Sequence, residues 1–350
     1  TGRPIRRVLA AMRPDWTGFS WKLGTIATLM IAGVIVAAQS FGAAGLFAGM
    51  GALQAVLASV AAPMKVRPWA AFWFAAVGCG TTALAAVVAR DHGLAVASLA
   101  VVAFLAGCGG AVGPVSARMT NVMAIWFLTA TALLQSSWEV TRPALGFLLG
   151  SAIVFTLLEL YKRVKGIEVA GAPPTWATVR ERLAWGSPVL SFALVYAVAG
   201  AVALEIGWRV MPENRVWPAI TALVLIRPAA GASVVTALQR MAGTLVGAWA
   251  IVAIVPKIDD PKVLLGIVLL STFMMAATMR VSYAIFALFM TGMVVALAAL
   301  SGKDPFQTGN DRVLGTVIGA AVAMAAVMVM HLLPTREVEM PELAGSPQPG

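Results

Sequence analysis

The chain has 350 residues, of which 60% are hydrophobic and only 11% are charged. Soluble domains are near half apolar and a quarter charged, so a soluble core has no room for this apolar surface and the solvent must be lipid. The formal net charge of +10 would suit nucleic acid. The basic residues, however, lie between apolar runs, which is typical of membrane topology and argues against a nucleic-acid partner. We therefore expect an all-α integral membrane protein with about twelve transmembrane helices.

The apolar runs, separated by charged residues or by Pro and Gly, give the positions of these helices. The run from Leu23 has no cleavage site after it, so we expect a span and not a signal peptide. Because the sequence starts at Thr1 without a methionine, we also expect natural sequence before it. The predicted spans are 21–39, 42–61, 68–89, 93–113, 119–137, 143–160, 188–207, 214–230, 239–256, 262–279, 282–300 and 312–332.

The lysine and arginine residues indicate how the spans are oriented. With the N-terminus in the cytoplasm, about twice as many of them lie inside as outside. This bias predicts a multi-pass protein of the bacterial inner membrane with both termini in the cytoplasm. The cations expected on the outer side are Arg90, Arg142, Arg209, Arg215, Lys257, Lys262, Lys303 and Arg312.

The chain divides into two similar halves around its longest hydrophilic stretch. The segment LGFLLGSA from Leu145 matches LGTVIGAA from Leu314, and further matches follow in the same order. Six spans per half is an even number, so we expect two parallel six-helix repeats related by a pseudo-twofold axis along the membrane normal. The expected domains are a cytoplasmic segment at 1–18, the first repeat at 19–160, a cytoplasmic linker with a short amphipathic helix at 161–187, the second repeat at 188–332 and a disordered cytoplasmic tail at 333–350.

The most informative polar pattern is IRPAAG, from Ile226, at the end of the eighth span. Pro228 has no backbone N–H and Gly231 is permissive, so we expect the helix to break here at the cytoplasmic membrane edge. Arg227 and Arg240 flank this break and would form a basic vestibule offering forked hydrogen bonds to carboxylates. The alternative is ordinary anchoring of these cations to lipid headgroups.

Other polar and aromatic side chains are candidates for the same route. Lys65 and Arg67 would add to the inner mouth, or anchor the chain to lipid. Gln54 is either a pathway residue or an interhelical hydrogen bond, and the aromatic residues either stack a planar ligand or pack. The candidate substrate-binding residues are Arg227, Arg240, Arg280, Arg118, Gln54, Trp217 and Tyr283.

Enzyme chemistry has no visible basis in this sequence. The glycine run from Gly107 lacks the Gly-Lys-Ser/Thr of a P-loop, and no HExxH or GxSxG motif occurs. Cys79 and Cys108 lie in apolar runs without a CxxC or a histidine partner. No carboxylate lies near the centre of a span, so proton coupling has no obvious residue. We expect no enzyme, no metal and no cofactor.

The second half resembles a known family. Its motifs are W-P-x-I-T-A-L-V-L-x-R-P-x-x-G from Trp217, R-x-x-G-T-x-x-G from Arg240, R-x-S-Y-A-I-F from Arg280 and D-R-x-x-G-T-x-x-G from Asp311. Together they resemble the fusaric acid resistance-like (FUSC) family, which includes the aromatic acid exporters. Plant aluminium-activated malate transporters, which pair two six-span units around an anion pore, look like more distant relatives. The first half resembles the family more weakly and lacks the full Arg-Pro-x-x-Gly.

Three functions remain open from the sequence. The resemblance implies export of aromatic or other organic carboxylates through a basic-mouthed pathway between the two repeats. The lack of a central carboxylate favours a passive anion channel. The third possibility is a non-transporting scaffold or lipid-handling partner of an envelope-building complex. The expected partners are a small organic anion and membrane lipids, and the protein is a monomer with an internal pseudo-dimer or a homodimer.

Overall fold

A computed structural model describes residues 13–59, 68–135, 139–166, 175–227, 230–258 and 260–333. In these ranges the chain forms α-helices joined by short connections, and no strand occurs. Short 3₁₀ turns lie at Trp16–Gly18, Gly109–Ala111 and Val255–Lys257. The α-helices are α1 (Trp21–Ser59), α2 (Pro68–Val88), α3 (His92–Cys108), α4 (Pro114–Leu134), α5 (Thr141–Lys165), α6 (Trp176–Arg182), α7 (Pro188–Val210), α8 (Trp217–Leu225), α9 (Ala230–Ile254), α10 (Pro261–Ala277), α11 (Tyr283–Leu300) and α12 (Pro305–Leu332).

The first helix, α1, turns back on itself. It is interrupted at Gly42, whose φ of 60° and ψ of −135° suit glycine and hardly any other residue. A Cβ on Gly49 would lie 2.7 Å from Cγ2 of Val34. These two residues would be about 22 Å apart in a straight helix. Hence α1 consists of two antiparallel arms, α1a (residues 21–41) and α1b (residues 43–59), which correspond to the first two predicted spans.

Nine of the described helices are long and apolar enough to cross a membrane. The exceptions are the seven-residue helix α6, the 17-residue apolar helix α10 and the nine-residue helix α8. Helix α8 is only about 13 Å long, so it cannot cross a bilayer alone. The prediction of a full eighth span at 214–230 was therefore wrong. The chain instead leaves helical geometry at Ile226, which is extended, and resumes as α9.

Helix α12 begins with an acceptor followed by proline. Oδ1 of Asp304 accepts a hydrogen bond from the backbone N–H of Phe306 at 2.9 Å, and Pro305 is the first helical residue. This arrangement satisfies a free N–H at the helix start and places proline where no N–H is needed. The helix therefore starts well before the predicted span 312–332, and a polar stretch that reads as a loop in the sequence lies inside it.

The two halves pack their helices in the same order. Helix α5 packs on α1 and α2, as α12 packs on α8 and α9. Helix α4 packs on α2 and α3, as α11 packs on α9 and α10. Between the halves, α3 packs on α7 and α10 packs on α1. The Nε2 of His92 on α3 lies 2.5 Å from Oε2 of Glu205 on α7, and Gly24 of α1 lies against Phe273 of α10.

The core of the first half is aromatic. The indole ring of Trp126 lies 4.9 Å from the ring of Phe147 and 5.7 Å from that of Phe47. Its Nε1 donates a hydrogen bond to Oγ1 of Thr82 at 2.9 Å. Phe74 packs against the same cluster. These rings are almost completely buried, so they close the centre of this half with apolar surface.

Candidate functional site

A polar cluster lies at the centre of the second half, where α8, α9, α11 and α12 meet. Its charged members are Arg240 of α9 and Arg312 of α12, which are each only 1% exposed. Arginine side chains are almost never fully buried unless they are paired with an acceptor. These two residues therefore require an explanation.

Arg240 is held by two neutral hydroxyl groups. Its Nη1 donates a hydrogen bond to the hydroxyl oxygen of Tyr283 on α11 at 2.8 Å, and its Nη2 donates to Oγ1 of Thr221 on α8 at 3.3 Å. Its Nε, which is buried, has no hydrogen-bond partner. Two bonds to hydroxyl groups orient the guanidinium group, but they leave its charge uncompensated.

Arg312 is held by an aromatic ring. Its guanidinium carbon lies 4.1 Å from the ring centroid of Trp217 on α8, a cation–π geometry. Its Nε and Nη2 are buried and have no hydrogen-bond partner. The guanidinium groups of Arg312 and Arg240 are near enough to repel each other.

Further donors without acceptors lie beside the two arginines. The Nε1 of Trp217 and the Oγ1 of Thr244 are also buried without a partner. With the arginine nitrogens, five buried polar atoms of this cluster are unsatisfied, and four of them are N–H donors only. Native structures leave few such groups, so five in one cluster make it a candidate ligand site.

The carboxylates of the described residues do not supply this acceptor. Asp311 is next to Arg312 in sequence, but its Oδ2 accepts a hydrogen bond from Nδ2 of Asn214 at 2.6 Å. Among the described residues, ion pairs such as that of Glu205 with Arg209 lie elsewhere. No three His, Cys, Asp or Glu side chains of the described residues are placed to hold a metal ion. The cluster is therefore cationic, with no compensating carboxylate among the described residues.

Close helix packing positions the cluster. A Cβ on Gly319 would lie 2.4 Å from the Pro218 carbonyl oxygen, and a Cβ on Gly315 would lie 2.7 Å from Cβ of Trp217. A Cβ on Gly243 would lie 2.0 Å from the carbonyl oxygen of Ala284. Glycine at these positions lets α12 contact α8, and α9 contact α11, through their backbones. The four helices therefore hold the arginine side chains in the small space between them.

The connection between α7 and α8, which leads into Trp217, is fixed by polar contacts. Arg215 stacks on Trp208, with its guanidinium carbon 3.7 Å from the ring centroid, and donates a hydrogen bond to the carbonyl oxygen of Ala89. Partial burial lowers the pKa of the Arg215 guanidinium. Together with the bond from Asn214 to Asp311, these contacts attach the connection to both halves of the protein.

The structure brings together three of the seven predicted site residues. Arg240 and Tyr283 are hydrogen-bonded, and Trp217 joins them through Arg312. However, Arg240 does not flank the helix break as predicted, because it lies about 15 Å along α9 from the start of that helix. It is inside the bundle and not at its mouth.

The other four predicted residues differ from these three in burial or lie in the first half of the chain. Arg227 is exposed at the end of α8, Arg118 is exposed near the start of α4, and Arg280 is exposed in the connection before α11. Gln54 is buried in the first half, on α1b. Lys65, Arg67 and Pro228 lie outside the described residues. Arg118, Arg227 and Arg280 are thus exposed whereas Arg240 is buried, and a basic mouth formed by these residues stays a prediction.

Sequence reasoning missed Arg312, which we assigned to the outer surface. The signal was present as a repeated motif. Arg240 and Arg312 each precede Gly-Thr-x-x-Gly at the same spacing, in α9 and in α12. Two helices with the same small-residue face and an arginine one turn earlier place both arginines at the same packed junction.

Comparison with known proteins confirms the resemblance in this part of the chain. Residues 193–326 match the family described as fusaric acid resistance protein-like. This region is similar to that family and is named here the FUSC-like domain. All four helices of the arginine cluster contribute to the FUSC-like domain, and both arginines lie within it. With nine membrane-length helices among the described residues, the chain is a multi-pass membrane protein.

The relatives found in the comparison do not extend this result to an activity. The chain is 28% identical over 167 residues to the uncharacterised protein ORF2 of Neisseria gonorrhoeae. The aligned segment covers 47% of this chain and 40% of that protein. It is 25% identical over 152 residues to an uncharacterised protein of Synechocystis. That aligned segment covers 43% of this chain and 20% of the relative. The chain thus spans less than half the length of either relative. No solved structure matches it.

Proposed function

We propose that this protein transports organic anions across the membrane and that Arg240 and Arg312 bind the anion on its way. The observation that carries the proposal is the pair of buried arginines, each 1% exposed, with no carboxylate partner among the described residues. A buried, unpaired charge destabilises a protein by several kcal/mol. A protein keeps such an arrangement where a ligand of opposite charge completes it during function.

The chemistry of the cluster fits a carboxylate. A guanidinium group offers a planar fork of N–H donors that matches the two oxygens of a carboxylate. The free Nε and Nη2 of Arg312 form such a fork, and the free Nε of Arg240 adds a donor from another helix. The resemblance to a family that includes aromatic acid exporters favours organic carboxylates as the cargo and export as the direction.

The burial of the cluster favours a carrier over an open pore. A water-filled pore passing the arginines would leave their side chains exposed, whereas each is 1% exposed. A carrier must therefore rearrange the helices around the site before the anion enters or leaves. The α7–α8 connection, held by Asn214 and Arg215, is one of the elements that would move.

The site favours a route inside the second half and not between the halves. In the first half, the corresponding centre is filled by Trp126, Phe147 and Phe47, which are fully or almost fully buried. An aromatic core of this kind offers an anion no donor and no space. On this proposal the first half is a scaffold that supports a single site.

We further propose that the two halves are parallel repeats related by a pseudo-twofold axis. The same helix order packs in each half, and the contact of α3 with α7 is matched by that of α10 with α1. At finer scale, Gly150 of α5 lies against the Ala48 carbonyl oxygen as Gly319 of α12 lies against that of Pro218. These reciprocal contacts support the arrangement, and the charge bias supports cytoplasmic termini.

Transport by purified protein in liposomes tests the proposed function. The variant Arg312→Gln removes the charge from the site, and Arg142→Gln is the matched control, since Arg142 on α5 has a largely exposed side chain. At equal protein content, we expect Arg312→Gln to reduce uptake of radiolabelled organic acids at least about tenfold and Arg142→Gln to leave it unchanged. Equal flux through both variants would refute the proposal.

A further inference from the structure

The arginine cluster also restricts which anions fit. Building on the proposed function, we infer that the site selects a compact anion with two negative charges over an aromatic acid with one. Three observations lead to this inference: the orientation of the aromatic rings, the number of unsatisfied donors and the tight packing around them.

The aromatic rings at the site are not available for stacking. The face of Trp217 that looks towards the cluster is covered by the guanidinium group of Arg312, at 4.1 Å. A ligand bound to Arg312 therefore meets the edge of a guanidinium group and not an indole face. The ring of Tyr283 is stacked on Phe286, with centroids 5.4 Å apart, and presents its hydroxyl group to Arg240. An aromatic ligand would gain little from either ring.

The site has more positive charge than one carboxylate can neutralise and more donors than it can accept from. Arg240 and Arg312 repel each other, and a single negative charge leaves one positive charge uncompensated. Their three free nitrogens come from different helices, and Nε1 of Trp217 and Oγ1 of Thr244 add two more atoms. A dianion with four oxygens can face the two guanidinium groups at once and reach these further donors.

The packing around the cluster favours a small ligand. Thr221, Thr244 and Thr316 line the same helix faces and are each 1% exposed. Gly319 already brings α12 to within contact of Thr221, since a Cβ there would lie 2.5 Å from Cβ of that threonine. A planar ring would have to separate these backbones, whereas a compact anion needs only the space between the arginine side chains.

Two chemical sources share these properties, a short dicarboxylate and an inorganic divalent oxyanion. Malonate and sulfate represent them, and benzoate and acetate represent the single-charge acids with and without a ring. Binding of each to the purified full chain is measured by calorimetric titration at pH 8 and constant ionic strength, because screening alone changes the affinity of exposed sites. Arg240→Gln removes one of the two charges, and Arg142→Gln is the control.

We expect malonate or sulfate to bind at least about tenfold more tightly than benzoate and acetate. We expect Arg240→Gln to abolish this preference while Arg142→Gln retains it. Tighter malonate than sulfate binding assigns an organic dicarboxylate. The reverse assigns an inorganic oxyanion, which would keep the preference for two charges but contradict the organic cargo of the proposed function. Benzoate binding as tightly as malonate would overturn the inference but keep the proposed function. Binding of none of the four anions would overturn both.

Discussion

The guanidinium carbon of Arg312 lies 4.1 Å from the ring centroid of Trp217, and no carboxylate of the described residues pairs with it. A cation–π contact contributes about 0.5–2 kcal/mol, whereas burying an unpaired ion costs several kcal/mol. The ring therefore orients the arginine without compensating its charge. This imbalance distinguishes the cluster from the ion pairs at the helix ends, where carboxylates face the cations.

Tyr283→Phe should weaken the site by releasing Arg240. The hydroxyl oxygen is the acceptor for Nη1 at 2.8 Å, and hydrogen bonds to charged groups contribute about 1.5–3 kcal/mol. We expect the melting temperature to fall and the dissociation constant of the preferred anion to rise about tenfold. Calorimetric titration measures the second effect. Tyr161→Phe, at an exposed position, is the control, and an equal response in both variants would argue against a role for the hydroxyl group.

Gly319→Ala should separate α12 from α8. The new Cβ would lie 2.4 Å from the Pro218 carbonyl oxygen, and overpacking of this kind destabilises proteins by about 1–3 kcal/mol. Gly266→Ala on α10 is a matched control, because nothing lies within 4 Å of its added Cβ. Alanine is the better helix former by about 1 kcal/mol, so this variant should be neutral or stabilising. Thermal unfolding in detergent compares the two, and a neutral Gly319→Ala would contradict the packing described here.

A substitution in the aromatic core of the first half should lower stability without changing anion affinity. Trp126→Phe removes the bond to Thr82 and part of the ring packing, and we expect a loss of about 1–2 kcal/mol. The affinity of the folded protein for its anion should stay within about twofold of the unsubstituted chain. A large change in affinity, measured by titration at a temperature where the variant is fully folded, would place the first half in the route.

The orientation can be tested with single cysteines. Cys79→Ser and Cys108→Ser remove the free thiols, and cysteine is then placed at Arg163 or Lys303, which are exposed at opposite ends of the predicted topology. A membrane-impermeant maleimide added to spheroplasts should label Lys303→Cys and not Arg163→Cys. The reverse pattern would place the termini outside.

The sequence allowed prediction of the helical class, the break between the first two spans and the family. Apolar runs and glycine or proline interruptions report local chain properties, and α1 turns at Gly42 where the apolar pattern changes. The length of α8 was not predictable in the same way. Its residues are as apolar as those of a full span, but the chain becomes extended at Ile226.

The candidate site was predicted only in part, because burial depends on tertiary packing. Arg312 lies among polar residues in the sequence, and such a stretch is typical of a loop. The Asp304–Pro305 pair is a helix-start signal, and it places Arg312 inside α12. Trp217 and Tyr283 were predicted either to stack on a planar ligand or to pack. In the structure they contact the two arginines, Trp217 through its ring and Tyr283 through its hydroxyl group.

Thermal unfolding of Arg312→Met, with and without anion, tests the central claim most directly. Methionine fills a similar volume without a charge, so removing an uncompensated cation should raise the melting temperature of the empty protein by a few degrees. The stabilisation that malonate or sulfate gives to the unsubstituted chain should disappear in this variant. Arg142→Met should change neither value. A lower melting temperature for empty Arg312→Met, with the anion effect retained, would contradict the account.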